Sequence, residues 1–285
     1  MTAGKIKNKL IRTFFIEQWS LLICDKKGKA LKHIVPPENH IWADPFPVEH
    51  DGKIFIFIEQ QIGHNNGTLG FIELDKDMNH SPFTPILEKE YHLSYPQVFQ
   101  LKQDGRLVWY MIPESHENRT IDVYRALEFP RCWTHETTLM NNLNASDSTV
   151  FFYNNLWWLF TSIGDDFSSR NSNLSLFYSD RFPSNTWKAH PLNPVSTDPA
   201  NSRMAGSIFI EAGKLFRPAQ DCTHDYGQNI NINAIISLDT ESFKEEKVKT
   251  IRPEKEFKTV CTHTINYCGS FLLRDIKTRK IRRII

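Results

Sequence analysis

The chain has no apolar run that approaches membrane-spanning length; its longest uninterrupted apolar stretches are only a few residues. Cysteine is scarce and odd in number (Cys24, Cys132, Cys222, Cys261 and Cys268), with no C-x-x-C spacing. That pattern argues against a disulfide scaffold or a zinc site and suits a reducing cytosol. Surplus charge is missing as well. A net charge of +1 over 285 residues is too balanced to imply a nucleic-acid partner. There is no G-x-S-x-G, Walker loop, dinucleotide fingerprint or H-E-x-x-H, so no cofactor and no metal is expected. The N-terminus (MTAGKIKNKLIRTFFIEQW) is basic and then briefly apolar, without a long apolar core or a small-residue cleavage site. No signal peptide is read there, and a cytoplasmic location is expected. Finally, no segment carries a long apolar stripe of helical period.

What the chain does have is aromatic residues and repetition. Twenty Phe and seven Trp within a 40% hydrophobic composition favour strands and allow a sizeable core. The stretch Ile41–Glu59 (IWADPFPVEHDGKIFIFIE) holds the basic unit: an acid before a proline, a tight turn, and an alternating return strand. Pro45 is expected to push Asp44 towards an extended backbone. Similar landmarks recur at Tyr95-Pro96, Asp147, Ala205-Gly206 and His263, a period of about 50–60 residues. The turns read HDG, QDG, YNN, EAG and YCG; the return strands read KIFIFIE, RLVWYMIPE, LWWLFTS, KLFRPAQ and SFLLRD. Third strands follow in four units, and ALEFPRCW echoes SDRFPSNTW just after two of them. The fold expected is all-β, a five-bladed β-propeller formed by residues 1–285 as one domain. Basic segments of about 1–16 and 277–285 flank it, and Gln18–Cys24 is expected to complete the last blade.

Inner strands of a propeller converge on its funnel, so their polar residues become candidates for a site. Asp44 is the sharpest, as base, nucleophile or charge stabiliser in sugar chemistry. Asp147 takes the analogous place in the third unit and could tune a neighbouring carboxyl. Glu59 and Glu114 each end a return strand, and Glu114, set among aromatics and a proline, suits a general acid. The fourth unit is the most polar, with Arg203, Arg217, Gln220, Asp221 and Tyr226. Arg217 in particular should meet a carboxylate, Asp221 being the nearest in sequence, or an anionic ligand. His263, with Asn266 nearby, could bind sugar hydroxyls or one side of a cation. Aromatics such as Tyr95, Trp109, Trp157 and Trp158 are core residues by default, one or two of which could stack on a sugar.

A series of motifs in order, ADPF (Ala43–Phe46), YHLSYPQVF (Tyr91–Phe99), MIPES (Met111–Ser115), DSTVF (Asp147–Phe151), FRPAQDC (Phe216–Cys222) and HTIN (His263–Asn266) among them, resembles one domain family. It is similar to the N-terminal domain of the glucosamine inositolphosphorylceramide transferases, which also occurs in bacterial proteins of surface-polysaccharide synthesis. The resemblance runs from about Gln18 onward and implies a five-bladed propeller related to glycoside hydrolase families 43 and 32. In the plant transferases the glycosyltransferase domain lies beyond this propeller, so transferase activity does not follow from the match. The hydrolase likeness maps a first-blade acid onto Asp44 and a middle-blade acid onto Asp147. Where those hydrolases carry a glutamic acid on the fourth inner strand, this chain has Met204-Ala205-Gly206, preceded by Arg203.

The reading is a carbohydrate-active propeller working on a glycan or activated sugar in cell-surface polysaccharide or glycolipid biosynthesis. Asp44 would be its base or nucleophile, Glu114 its acid and Asp147 a modulator. The alternative is a non-catalytic glycan-binding or scaffold module that supports a separate glycosyltransferase. The basic termini could touch anionic lipid at the inner membrane face.

Overall fold

The computed structural model describes residues 15–281, with backbone alone for the last two, and is built almost entirely of strands in five sheets. β1 (Phe15–Asp25) and β2 (Ala30–Ile34) open the chain but belong to the last blade. Blade 1 is β3 (His40–His50), β4 (Lys53–Ile62), β5 (Thr68–Leu74) and β6 (Thr84–Leu87). Blade 2 is β7 (Ser94–Gln103), β8 (Arg106–Glu114), β9 (Thr120–Glu128) and β10 (Cys132–Asn141). Blade 3 is β11 (Ala145–Tyr153), β12 (Leu156–Ile163), β13 (Leu174–Ser179) and β14 (Lys188–Ala189), with a short helix, α1 (Phe167–Ser172), between its second and third strands.

The inner strands of the last two blades are broken where they meet the funnel. Blade 4 has β15 (Arg203–Met204) and β16 (Phe209–Glu211) inside β17 (Lys214–Asp221), then β18 (Asn229–Leu238) and β19 (Phe243–Ile251). Blade 5 has β20 (Thr259–Cys261) and β21 (Ile265–Cys268) inside β22 (Phe271–Ile281). β1 then pairs antiparallel with β22 along its whole length, from Phe15 opposite Ile281 to Asp25 opposite Phe271. The N-terminal strand therefore closes the ring, and β2 becomes the short outer edge of the last blade.

Local sequence explains the hairpins. Asp51-Gly52, Asp104-Gly105, Asn154-Asn155 and Ala212-Gly213 each place two consecutive residues at positive φ, the geometry that matches the twist of two adjoining strands. The Phe-Pro echo also has a structural purpose. Phe129 lies between blades 1 and 2, stacked 4.2 Å from Trp109 and 5.6 Å from Phe55. Phe182 does the same between blades 2 and 3, 4.9 Å from Trp157 and 5.5 Å from Phe99. The following tryptophans fasten each turn, Trp133 donating to Pro130 O and Trp187 to Ser184 O, both at 2.8 Å. Burial of each ring contributes about 1.5–3 kcal/mol to holding neighbouring blades together.

Two expectations need correction. Lys277 and Arg279, expected in a basic tail, are strand residues of β22, and both face Glu17 of β1. The other basic residues of the termini (Lys5, Lys7, Lys9 and Arg12; Arg282 and Arg283, with the Lys280 side chain) lie outside the described residues. Asp44 is not extended: its φ is +52°, and Tyr95 (+47°) and Asp147 (+52°) share that conformation. All three sit at bulges, where the pairing register shifts between Ala43 and Phe46, Ser94 and Gln97, and Ser146 and Thr149. Hydrogen bonds made by the bulged residue outweigh the local preference set by Pro45. Each such left-handed residue costs about 1–3 kcal/mol, a cost typical of functional sites.

Candidate functional site

The bulges turn one residue per blade into the funnel and free its N–H from the ladder. The freed N–H of Asp44 donates to Asp275 Oδ2 (3.1 Å), and that of Asp147 to Glu114 Oε2 (3.0 Å). In both cases the acceptor is an acid on the preceding blade's return strand, Glu114 at the end of β8 and Asp275 in the middle of β22. Tyr95 N–H donates instead to Asp44 Oδ2 (3.2 Å), while Thr264 Oγ1 donates to Asp44 Oδ1 (2.6 Å). Asp44 is thus a buried carboxyl with both oxygens engaged. Burial raises its pKa to about 6, against the pull of His263.

Asp275 is fully buried and accepts four donors: the N–H groups of Asp44, His263 (2.9 Å) and Thr264 (3.0 Å), and the His263 ring through Nδ1 (2.6 Å). The imidazole is stacked on Trp19 (4.1 Å) and meets Tyr226 edge-on (5.3 Å). Gly227 leaves it room, since a Cβ there would lie 2.4 Å from that of His263. Burial works against charging the ring, but Asp275 and then Asp44 outweigh it and lift the pKa to about 9. Asp44, His263 and Asp275 bring ligand atoms within 4.8 Å of one another, the spacing of a metal centre. Hydrogen bonds tie the group together: the Asp275 oxygens take N–H donors and the His263 ring, while each Asp44 oxygen accepts one donor.

Across the funnel, Arg203 organises a second cluster. Its Nε lies 2.5 Å from Asp147 Oδ2, one terminal nitrogen 3.3 Å from Glu114 Oε2, and the other donates to Asn171 of α1 (3.0 Å). Gln220 adds a donor to Asp147 Oδ2 (2.8 Å), and His116 Nδ1 stands 2.9 Å from Glu114 Oε1. Burial opposes the charge on Arg203, yet Asp147 and Glu114 hold its pKa well above the ordinary value. Burial would raise Glu114 too, but Arg203 and His116 bring it below the usual carboxylate range. Burial pushes Asp147 up, against the pull of Arg203.

The two clusters face a cavity of about 350 Å³. Of the candidates named from the sequence, Asp44, Glu59, Glu114, Arg203, Tyr226 and His263 line it. Other expected residues build the site without lining it. Tyr95 spans the ring: its hydroxyl sits 2.9 Å from Thr149 Oγ1 and accepts from Gly206 N–H (2.8 Å). Asn266 ties blade 5 to Pro45 O and to Ser207 N–H, and Gln220 braces Asp147. Arg217 is buried inside blade 4, where its carboxylate is Glu245 (2.5 and 2.8 Å), not Asp221. Asp221 instead accepts from Asn229 and Thr223 at a loop.

Sequence reasoning passed over Asp275, Thr264, His92, His116, Trp19 and Arg170. A signal for Asp275 was present, because KIFIFIE, YMIPE and SFLLRD all end in an acid. At the departure in the fourth blade the backbone is tightly confined. Gly206 has φ +131°, and a Cβ on it would lie 2.0 Å from Ile265 O, so no side chain fits there. Arg203 reaches towards Asp147 and Glu114 from the same strand.

Residues 23–264 match the family described as glucosamine inositolphosphorylceramide transferase 1, N-terminal. The chain belongs to this family. Curated relatives include glucosamine inositolphosphorylceramide transferase 1 of Oryza sativa subsp. japonica, 34% identical over 220 residues, and that of Arabidopsis thaliana, 32% identical over 217. Each match covers 74% of this chain but only 28% of the relative, so the family's shared propeller is a minor part of those proteins. Among solved structures, a family-117 glycoside hydrolase of Zobellia galactanivorans superposes with a TM-score of 0.57 at 12% identity, over 92% of this chain and 90% of its own. An exo-β-1,3-galactanase of Phanerochaete chrysosporium gives 0.59 at 12% identity, over 90% and 64%. At such identities the likeness establishes the propeller fold.

Proposed function

We propose that the funnel binds and acts on a glycan or activated sugar during assembly of a cell-surface polysaccharide or glycolipid. The observation that carries this reading is the cavity itself. Asp44, Glu59 and Glu114 line one space with the rings of Trp19 and Tyr226, and its size suits a sugar unit. Carboxylates and imidazoles fix hydroxyls, while aromatic faces cover the C–H side of a sugar ring. With its pKa near 6, Asp44 can exchange a proton close to neutral pH, which suits a base at an acceptor hydroxyl. The family's plant members, named for a glycolipid, support a role in glycolipid assembly, with a glycosyltransferase as partner. A cytoplasmic location, at the inner membrane face, belongs to the same reading.

Arg203 favours a second reading, a glycan-binding module without catalysis. It holds Glu114 ionised, and an ionised carboxylate has no proton to give a leaving group. Incubating wild type and Asp44→Asn with labelled sugar nucleotides and oligosaccharides separates the two. Turnover lost in the variant while sugar binding persists supports catalysis. Binding without turnover in the wild type supports the module. Absence of both removes the carbohydrate reading.

A further inference from the structure

Five basic side chains line the cavity, and four of them stand beside a carboxylate. Arg203 pairs with Asp147 and Glu114, His263 with Asp275, His116 with Glu114, and His92 Nε2 lies 3.2 Å from Glu59 Oε1. Arg170 is the exception. It lines the cavity and acts electrostatically on Asp166 at the start of its own helix, yet among the described residues its guanidinium forms no ion pair and no side-chain hydrogen bond, and its Nε is buried without an acceptor. Residues 1–14 and 282–285 contain no Asp or Glu that could supply one. Burying a donor of a charged group without an acceptor costs free energy, and a fork of N–H donors facing a cavity is the form of an oxyanion receptor.

The arginine is also held in place. It lies on α1, which is started by Asp166: the Asp166 carboxylate accepts from Ser169 N–H (2.8 Å), and Ser169 Oγ accepts from Asp166 N–H (3.1 Å). Ser202 Oγ donates to Ser172 O at the far end (2.7 Å), and Asn171 receives a bond from Arg203. Gly164 lets the helix sit tight, since a Cβ there would lie 2.6 Å from Arg170 N. Phe167, largely exposed, stands 5.6 Å from Tyr226 and completes the wall beside Arg170. A short helix inserted between two strands of blade 3 is thus fastened to the Arg203 cluster. It presents to the cavity a cation with no ion-pair partner among the described residues.

We infer that Arg170 forms an oxyanion subsite, so that the preferred ligand is a sugar carrying a phosphate or carboxylate group, with its ring over the Asp44–Glu59 side and its anion at α1. This rests on the carbohydrate reading of the same cavity and narrows it to a substrate class. Fork-like binding of two oxygens is the contact that guanidinium makes and an amide does not.

The test is calorimetric or NMR titration of the full chain with neutral hexoses, the matching hexose 1-phosphates and uronic acids, and inorganic phosphate. Wild type should bind a charged sugar roughly ten- to a hundredfold more tightly than its neutral counterpart. Arg170→Gln should lower affinity for the charged sugar far more than for its neutral counterpart, so that the difference disappears, and Arg170→Lys should restore part of it. Comparing 1-phosphates with uronates identifies which oxyanion the fork takes. Equal affinity for neutral and charged sugars, or a preference that survives Arg170→Gln, overturns the inference and leaves the carbohydrate reading standing. Binding of inorganic phosphate with no sugar bound overturns both.

Discussion

His263 makes the stability of the ring depend on pH in an alkaline window that it shares with His92. Against burial, Glu59 lifts His92 to about 9 as well, and that contribution, common to wild type and a His263 variant, cancels in their difference. The folded pKa of His263, about 9, lies above the ordinary 6.5 because Asp275 and Asp44 outweigh burial. A raised folded pKa means that the native state holds a proton the unfolded chain has lost. The stabilisation is therefore complete below about pH 6.5 and is lost as pH rises to about 9. A tenfold difference in proton affinity between the two states is equivalent to about 1.4 kcal/mol, so roughly 3 kcal/mol should disappear across that window. Asp44, also raised, acts in the same direction lower down, between about pH 4 and 6, while below about pH 4.5 Glu114 acts oppositely, since its lowered pKa makes stability fall as acid is added. The alkaline window is the cleaner one. Urea unfolding of wild type and His263→Gln at several values between about pH 6 and 10 measures it. Wild type should lose stability steadily while the variant, less stable at the acid end, follows a flatter line. Buried thiols such as Cys261 and Cys268, both raised to about 11, add a common slope above pH 9 that cancels in the difference. Parallel curves would refute the account of the Asp275–His263 pair.

Other perturbations probe the remaining parts of the site. Asp275→Asn puts an amide where three N–H donors converge and removes the partner of His263, so unfolding should become easier by about 3–5 kcal/mol, read by chemical denaturation. In Arg203→Gln, Asp147 and Glu114 are left facing each other without their cation; a loss of similar size, about 3–5 kcal/mol, should shrink as pH is lowered and the carboxylates take up protons. Phe182→Ala should cost about 3–5 kcal/mol, since the ring is buried between two blades with nothing to fill its place.

Much of the ring was legible because a propeller repeats its local chemistry. Positive-φ turn residues, alternating return strands and the Phe-Pro-Trp echo are local signals, and each is used in the structure for the purpose its composition implies. The closing role of Gln18–Cys24 could be read as well, because a fifth unit without a third strand needs one from elsewhere. The site was legible only in part. Asp44, Asp147 and Glu114 could be named because they are acids on inner and return strands, although bulges, and not strand phase, turn Asp44 and Asp147 inward. Arg217 could not be placed. Its partner Glu245 is two strands away, and the direction of β17 at that residue depends on a blade interior that sequence spacing does not reveal. Asp44's own backbone misled for a different reason. Pro45 speaks for an extended conformation, but three groups from blades 2 and 5 bind the bulged one, and none of them is a sequence neighbour.

Gly206 shows how one close approach has shaped the chemistry of the funnel. Its N–H donates to the Tyr95 hydroxyl, and its Cα faces Ile265 O so closely that any Cβ would overlap it. The fourth inner strand therefore presents backbone where Asp44, Tyr95 and Asp147 present side chains in their blades. With no acid there, the charge of Asp147 and Glu114 is met by Arg203 from three residues earlier. Gly206→Ala tests this ordering of cause. It should destabilise the ring by more than the ~1 kcal/mol expected of an ordinary loss of glycine freedom, because the β21 backbone must move. That movement should also disturb the Tyr95 hydroxyl bond, and with it the Tyr95 N–H bond to Asp44. A variant that folds with wild-type stability and unchanged sugar binding would mean that the fourth blade had room for an acid, and that its absence reflects the ligand and not the packing.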